Sequence, residues 1–194
     1  MGYGKTRAGV GIAALAADDG ARIVQQGAGK YADLVRAGNV YVIANQTPVT
    51  TTAVLTSTYT GLAIGNPLNS GKNLEILTAG FAQHAVAAAG LVGLMTNTQV
   101  IAASLIPKNR LTGAVGGSVA VASASFSLTG TAVLETLIGS TGSLATTGWG
   151  NLPAPTIDLG GSLILIPGNA VSFYTSVITT TALIFSIMFN EVDR

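Results

Sequence analysis

Two glycine–lysine pairs raise the question of phosphate binding. A phosphate-binding loop needs a strand, then Gly, four further residues and Gly-Lys-Ser/Thr, so that backbone amides surround the phosphates. Only three residues precede Gly4-Lys5-Thr6, so neither the first glycine nor the strand is present there. At Gly71-Lys72, Asn66 takes the place of the first glycine and Asn73 that of the hydroxyl residue. We therefore expect Gly4-Lys5 to belong to an N-terminal arm and Gly71-Lys72 to a turn between strands.

Acid–base and metal chemistry have few candidate residues. His84 is the single histidine, so a catalytic triad or an imidazole metal site would depend on it alone. We interpret it as a hydrogen-bonded strand residue or a subunit contact, although three copies on a threefold axis would offer a metal or anion site. Cysteine is absent, which excludes thiolate ligands and disulfides. The acids are dispersed along the chain, so the sequence predicts no catalytic residue, no cofactor-binding residue and no metal ligand.

The charge content is unusually low. Charged residues make up 9% of the 194 residues, whereas about 25% is usual. The net charge is +1, and the basic residues are scattered, so we expect no nucleic-acid partner. Mean hydropathy is +0.55, but the uncharged stretch 76–107 contains Gln83, His84 and Asn97, whereas a spanning helix needs about 20 mainly apolar residues. We expect no membrane partner and predict that other protein chains cover much of the surface.

The chain is predicted to consist of an N-terminal arm, residues 1–29, and one domain, residues 30–194. The arm is rich in Gly and Ala and is weakly patterned, which suits contacts with other subunits. Residues 30–38 predict one short helix, with Tyr31, Leu34 and Val35 on one face and Gly38 as its end.

After this helix the sequence predicts strands. Runs rich in Val, Ile, Thr, Tyr and Phe alternate with Gly, Asn and Pro. The predicted strands lie near residues 40–44, 53–64, 73–83, 90–95, 100–106, 118–127, 131–138, 162–166, 170–176 and 182–192. About ten such strands fit an all-β fold of two packed antiparallel sheets, and the long connection 139–155 favours Greek-key crossings. Pro167-Gly168-Asn169 predicts a hairpin between the strands that flank it.

The last strand has apolar residues on both faces. Leu183, Phe185, Ile187 and Phe189 alternate with Ile184, Ser186, Met188 and Asn190. A strand of this kind is typically covered on both sides, so we expect one face to meet the sandwich and the other a neighbouring subunit. The predicted subunit-interface residues are Leu183, Phe185, Ile187, Phe189, Phe173 and Tyr174.

The order of these signals resembles the jelly-roll structural proteins of tailed bacteriophages, and more distantly the trimeric tumour-necrosis-factor-like sandwich. The resemblance rests on the short helix at Gly29-Lys30-Tyr31, the turns at Gly65-Asn66-Pro67 and Ser70-Gly71-Lys72, and the terminal strands at 163–168 and 182–192. It implies a jelly-roll β-sandwich with an extended N-terminal arm. It also implies a homotrimer located in the virion, whose partners are its own copies and other virion proteins such as capsid, neck or tail proteins.

A second function class remains open at this point. Trp149 lies in a Gly- and Thr-rich loop, Thr147-Gly148-Trp149-Gly150-Asn151, where an exposed indole can stack on a sugar. The alternative for Trp149 is a side chain that closes the end of the sandwich or contacts a subunit. A carbohydrate- or receptor-binding module, with Tyr59 and Tyr174 as further sugar contacts, is thus the alternative to a structural protein.

Overall fold

The structure is a computed structural model that describes residues 4–5, 11–12, 15–16, 22–23, 29–52, 58–85, 87–98, 101–127, 132–142 and 154–194. In the arm, β1 (Gly4–Lys5) pairs with β2 (Gly11–Ile12), and β3 (Leu15–Ala16) pairs with β4 (Arg22–Ile23). Helix α1 (Ala32–Arg36) follows. The domain strands are β5 (Val40–Ala44), β6 (Val49–Thr51), β7 (Thr58–Gly65), β8 (Lys72–Gln83), β9 (Gly90–Asn97), β10 (Lys108–Asn109), β11 (Val121–Ser127), β12 (Val133–Thr141), β13 (Thr156–Leu165), β14 (Ala170–Thr175) and β15 (Thr179–Asp193).

The domain strands form two antiparallel sheets. The first sheet has the order β10-β5-β15-β8-β13, and β6 also pairs with β15. The second sheet has the order β11-β7-β14-β9-β12. Neighbours in each sheet are distant along the chain, so the connections repeatedly cross between the two sheets. The prediction of an all-β, two-sheet antiparallel sandwich with a short N-terminal helix is confirmed.

The core lies between the sheets because one face of each central strand is apolar. The Phe173 ring of β14 stacks on the Phe185 ring of β15, with centroids 4.3 Å apart, and so joins the two sheets. Within the first sheet, Tyr41 of β5 stacks on Phe189 of β15 at 5.8 Å. Full burial of a large apolar side chain contributes about 1.5–3 kcal/mol, so these rings are major contributors to stability.

Most predicted strands overlap observed ones, but β10 was not predicted and β13 begins at Thr156, six residues before the predicted strand 162–166. The strand predicted at 100–106 is wrong, because residues 101–106 form no strand. Instead, the amides of Ser104 and Leu105 donate to the carbonyl oxygen of Ala122 at 2.9 and 3.0 Å, as an isolated bridge beside β11. Strand β6 was not predicted, because three residues are too few to display an alternation.

Two turn glycines have the positive-φ backbone conformation that their positions require. Gly38 follows α1 with φ +83°, and Gly71 precedes β8 with φ +68°, both in the left-handed region that glycine adopts at little cost. At Pro167-Gly168-Asn169 a turn is present, but the predicted hairpin is wrong. Strands β13 and β14 belong to different sheets, so this turn carries the chain from the first sheet to the second.

Candidate functional site

Five side chains that were predicted to form a subunit interface lie in the core of the single chain. Each of them has 0% exposed surface: Phe173, Leu183, Phe185, Ile187 and Phe189. A fully buried side chain has no surface to offer a second chain, so these residues belong to the core and not to an interface. The alternation correctly indicated that one face of β15 is buried, but the layer that covers it is the second sheet of the same chain.

The opposite face of β15 is partly open. Ser186 is exposed, and Ile184 and Met188 are half-buried. We expected both faces of β15 to be covered. Within the single chain, only the inner face of β15 is fully covered.

Exposed apolar side chains cluster on the second sheet. Leu91 of β9 and Leu134 and Leu137 of β12 are 46%, 40% and 47% exposed, and we call these three residues the leucine patch. Leu134 lies opposite Met95, and Leu137 lies opposite Gly93. A Cβ atom on Gly93 would lie 3.2–3.3 Å from both the Leu134 and the Leu137 side chains, so these two leucines meet above Gly93, and Leu91, two residues earlier on β9, lies on the same face of the sheet.

Alternation along the strands places the leucine patch on the outer face of this sheet. Phe173 and Leu94 are paired across β14 and β9, and both are fully buried in the core. Their chain neighbours Tyr174 and Gly93 are also paired, and they point the other way because side chains alternate between faces. Tyr174 is half-buried and borders the patch, so it is the one predicted interface residue that retains exposed surface.

The charged residue nearest to the leucine patch points away from it. Glu135 lies between two of the leucines in sequence, where a bulge interrupts the β12–β9 register after Leu134. Its carboxylate accepts a hydrogen bond from Thr96 Oγ1 at 2.5 Å. Thr96 lies two residues after the buried Leu94, so its side chain is on the same face of β9 as that of Leu94 and not on the face of Gly93. The Glu135 carboxylate is therefore held on the side opposite the patch.

A polar cluster joins the helical segment to the edge strand β13. We call Lys30, Tyr31 and Asp158 the Asp158 cluster. The Asp158 carboxylate accepts a hydrogen bond from the Tyr31 hydroxyl, pairs with Lys30 Nζ at 2.7 Å, and accepts the Gly160 amide at 3.0 Å. The Tyr31 hydroxyl also lies 3.5 Å from the Leu77 carbonyl oxygen of β8. These contacts hold the start of the domain, at Lys30 and Tyr31, against the edge of the sandwich.

A bulge in β13 shapes this cluster. The register moves from Asp158 opposite Thr78 to Leu163 opposite Ile76, so residues 159–162 bulge out of the edge strand. Such a bulge reorients side chains and prevents edge pairing. It brings the Gly160 amide, at φ +60°, back to the Asp158 carboxylate.

The Asp158 cluster stabilises the ionised forms of Asp158 and Lys30 and the neutral phenol of Tyr31 at neutral pH. Hydrogen bonds from Lys30 and then Tyr31 lower the pKa of Asp158. The hydrogen bond to Asp158 raises the pKa of Lys30. Partial desolvation, followed by the bond to Asp158, raises the pKa of Tyr31. A lowered acid pKa and raised base and phenol pKa values are the pattern of an attachment point and not of a proton-transfer site.

A second polar network closes one end of the sandwich. The buried Glu191 Oε1 accepts hydrogen bonds from Ser118 Oγ at 2.6 Å and from the Val119 amide at 2.8 Å. Lys72 Nζ lies 3.9 Å from Glu191 Oε2 and 3.4 Å from Asp193 Oδ1. Every group in this network is paired within the chain, so we assign it a structural role.

The remaining chemical candidates lie apart from one another. His84 is exposed and directly follows β8, and its amide donates to the Ala182 carbonyl oxygen at 2.6 Å. Lys5 belongs to β1 and Lys72 to β8. Within the described ranges, no three His, Asp or Glu side chains come together as metal ligands. Trp149 and most of the arm 1–29 lie outside the described residues.

Two further findings bear on function. No helix in the part of the chain that the structure describes is long and apolar enough to span a bilayer. No protein-family model, curated protein or solved structure matches the chain. The leucine patch and the Asp158 cluster are therefore the surface features from which a function has to be inferred.

Proposed function

We propose that this chain is a non-enzymatic structural protein of a bacteriophage particle, located in the virion. It assembles as a homotrimer and attaches to the capsid, neck or tail through its N-terminal arm, as a decoration or head-fibre protein. Its partners are its own copies and other virion proteins.

The strand order is the observation that carries this proposal. Eight strands, β5, β7, β8, β9, β12, β13, β14 and β15, make up most of the two sheets. Numbered one to eight in chain order, they have the order 1-8-3-6 in the first sheet and 2-7-4-5 in the second. This order supports a jelly roll, a sandwich of two Greek keys that is common among viral capsid domains.

The surface supports assembly. With 9% charged residues, the chain exposes large apolar side chains on several elements, and the leucine patch gathers three of them on one face of the paired strands β9 and β12. Stable subunit interfaces are large and apolar at their centre, and cyclic symmetry closes the assembly instead of extending it. In such a protein the mechanism is burial of surface, and no catalytic group is needed.

The position of the arm supports attachment. Lys30 and Tyr31 are tied to Asp158 on the edge strand β13, so the start of the domain is held at one defined edge of the sandwich. An arm anchored at its base can reach a second protein without loosening the domain.

Light scattering of the purified full chain tests the assembly. We expect a molar mass of three times 19.4 kDa. A separate sedimentation experiment tests the location: in lysates of the host that produces the particles, the chain should co-sediment with density-purified particles. A well-folded monomer, or a chain absent from purified particles, contradicts the proposal. Glycan-array binding that Trp149→Ala abolishes without changing the mass would favour the carbohydrate-binding alternative instead.

A further inference from the structure

We infer that the leucine patch packs against second copies of this chain, close to the symmetry axis of the trimer. This inference rests on the proposed homotrimer and names the surface and the partner that form it.

The patch has the composition of an interface centre. Its three leucines are each at least 40% exposed on two paired strands, and half-buried Tyr174 borders them. Contiguous exposed apolar surface on a water-soluble domain marks an interaction site, and aromatic and apolar side chains without charge are typical of the buried centre of such sites.

The charge pattern favours a second copy as the occupant. Glu135 is the charged residue of β12, and its carboxylate is engaged by Thr96 on the other side of the strand. The patch therefore offers no charge to an ionic partner. An apolar, uncharged surface is complemented by another of the same kind, and rotational symmetry brings copies of a patch near the axis together.

The shape of β12 favours packing through side chains. This strand is an edge of the second sheet, paired only with β9 among the described strands. Bulges interrupt its register after Leu134 and after Leu137. A bulged edge is a poor template for adding another strand, so the backbone is protected from open-ended pairing while the leucines remain available.

The area required sets the extent of the interface. A stable interface buries about 800 Å² on each partner, which three partly exposed leucines cannot supply alone. The neighbouring segment extends the surface, because the Leu91 amide donates to Ser176 Oγ at 2.8 Å and Ile178, two residues further on, is 61% exposed. The leucine patch is thus the centre of a larger contact that continues towards Ile178.

Charge insertion tests the inference. Leu137→Asp places a carboxylate in the centre of the patch, and Ile106→Asp is the matched control. Ile106 is 63% exposed and lies beside β11, at the opposite edge of the same sheet. In light scattering over a concentration series, we expect Leu137→Asp to weaken trimer association at least 100-fold, about the effect of losing one strong interface contact. Ile106→Asp should assemble like the wild type, and circular dichroism should be unchanged in both.

Cysteine cross-linking tests the same contact without inserting a charge. The chain contains no cysteine, so Leu134→Cys or Leu137→Cys introduces one thiol per copy. Mild oxidation with copper phenanthroline should yield covalent dimers of these variants, because neighbouring copies bring the thiols together, whereas Ile106→Cys should stay monomeric on denaturing gels.

The outcomes separate the two proposals. A Leu137→Asp protein that forms trimers as tightly as the wild type, or failure of both patch cysteines to cross-link, overturns the patch as the interface and leaves the trimer standing. A monomeric wild type overturns the proposed assembly and this inference with it. If Leu137→Asp does not fold, the cross-linking result decides.

Discussion

Ser118 Oγ donates a hydrogen bond to Glu191 Oε1 at 2.6 Å, across 73 positions of the chain. The Glu191 side chain is almost fully buried, and the same oxygen accepts the Val119 amide at 2.8 Å. Hydrogen bonds to an ionised acceptor are stronger than neutral ones. The last strand therefore holds the segment before β11 against the end of the sandwich.

Removing this carboxylate should destabilise the fold. We expect Glu191→Ala to lower the free energy of unfolding by about 3 kcal/mol, because the Val119 amide loses its acceptor and Lys72 loses a buried partner. Urea denaturation followed by circular dichroism measures the change. Asp193→Ala is the control, since that carboxylate also pairs with Lys72 but is 92% exposed, and an exposed pair contributes about 0.5 kcal/mol. Equal losses in the two variants would contradict the role given to Glu191.

The leucine patch depends on a glycine beneath it. A Cβ atom at position 93 would lie 2.3 Å from the Thr136 carbonyl oxygen, and that backbone atom cannot move without disturbing the β9–β12 pairing. We expect Gly93→Ala to cost about 2–3 kcal/mol through overpacking, measured as a lower urea midpoint.

Gly142→Ala is the comparison for this prediction. A Cβ atom at position 142 meets nothing within 4 Å, so the substitution should be neutral or stabilise by up to about 1 kcal/mol. A Gly93→Ala protein as stable as Gly142→Ala would show that β12 does not lie against β9 as described.

The Asp158 cluster should make stability depend on pH. The folded pKa of Asp158 is lowered below its usual 3.8, so its contribution is present above the unfolded pKa and is lost as pH falls through the folded value. The folded pKa of Lys30 is raised above 10.5, so its contribution is present at lower pH and is lost as pH rises through the folded value. The cluster therefore acts fully between about pH 4 and pH 10.

Thermal melting across this range tests the prediction. Asp158→Asn should melt below the wild type at pH 7, and the two should converge as pH falls through the folded pKa of Asp158, below which this carboxyl group is protonated in both the folded and the unfolded state. Asp33→Asn provides the control, because Asp33 forms an exposed pair with Arg36 within α1. A difference between wild type and Asp158→Asn that does not narrow as pH falls below 3.8, the usual pKa of Asp158, would contradict an ionic contribution from this cluster.

The core assignment of Phe185 is testable by truncation. Because Phe185 is fully buried and stacked on Phe173 at 4.3 Å, we expect Phe185→Ala to lower the free energy of unfolding by about 3–5 kcal/mol. Ile178→Ala, at a 61% exposed position, should change the stability of the single chain by about 0.5 kcal/mol or less. Denaturation at concentrations where the chain is monomeric separates this effect from assembly. Equal stability of the two variants there would contradict the core position of Phe185.

The sequence by itself determined most of the domain strands, the two-sheet class and the dispersal of its charged and chemical residues. Alternation with period two depends on local backbone geometry, so it placed Leu183, Phe185, Ile187 and Phe189 on one face of β15, although it assigned that face to a subunit interface and not to the core. Turn residues such as Gly38 and Gly71 were identified for the same reason, because the need for positive φ is local.

Only the tertiary structure decided what covers each face and which surface remains open. Phe185 is covered by Phe173 of the opposite sheet, a contact set by the strand order, which no local pattern contains. The leucine patch was missed because bulges after Leu134 and Leu137 break the alternation of β12, so its outward residues do not recur at every second position. Burial is a property of the assembled sheets, whereas periodicity is a property of one strand.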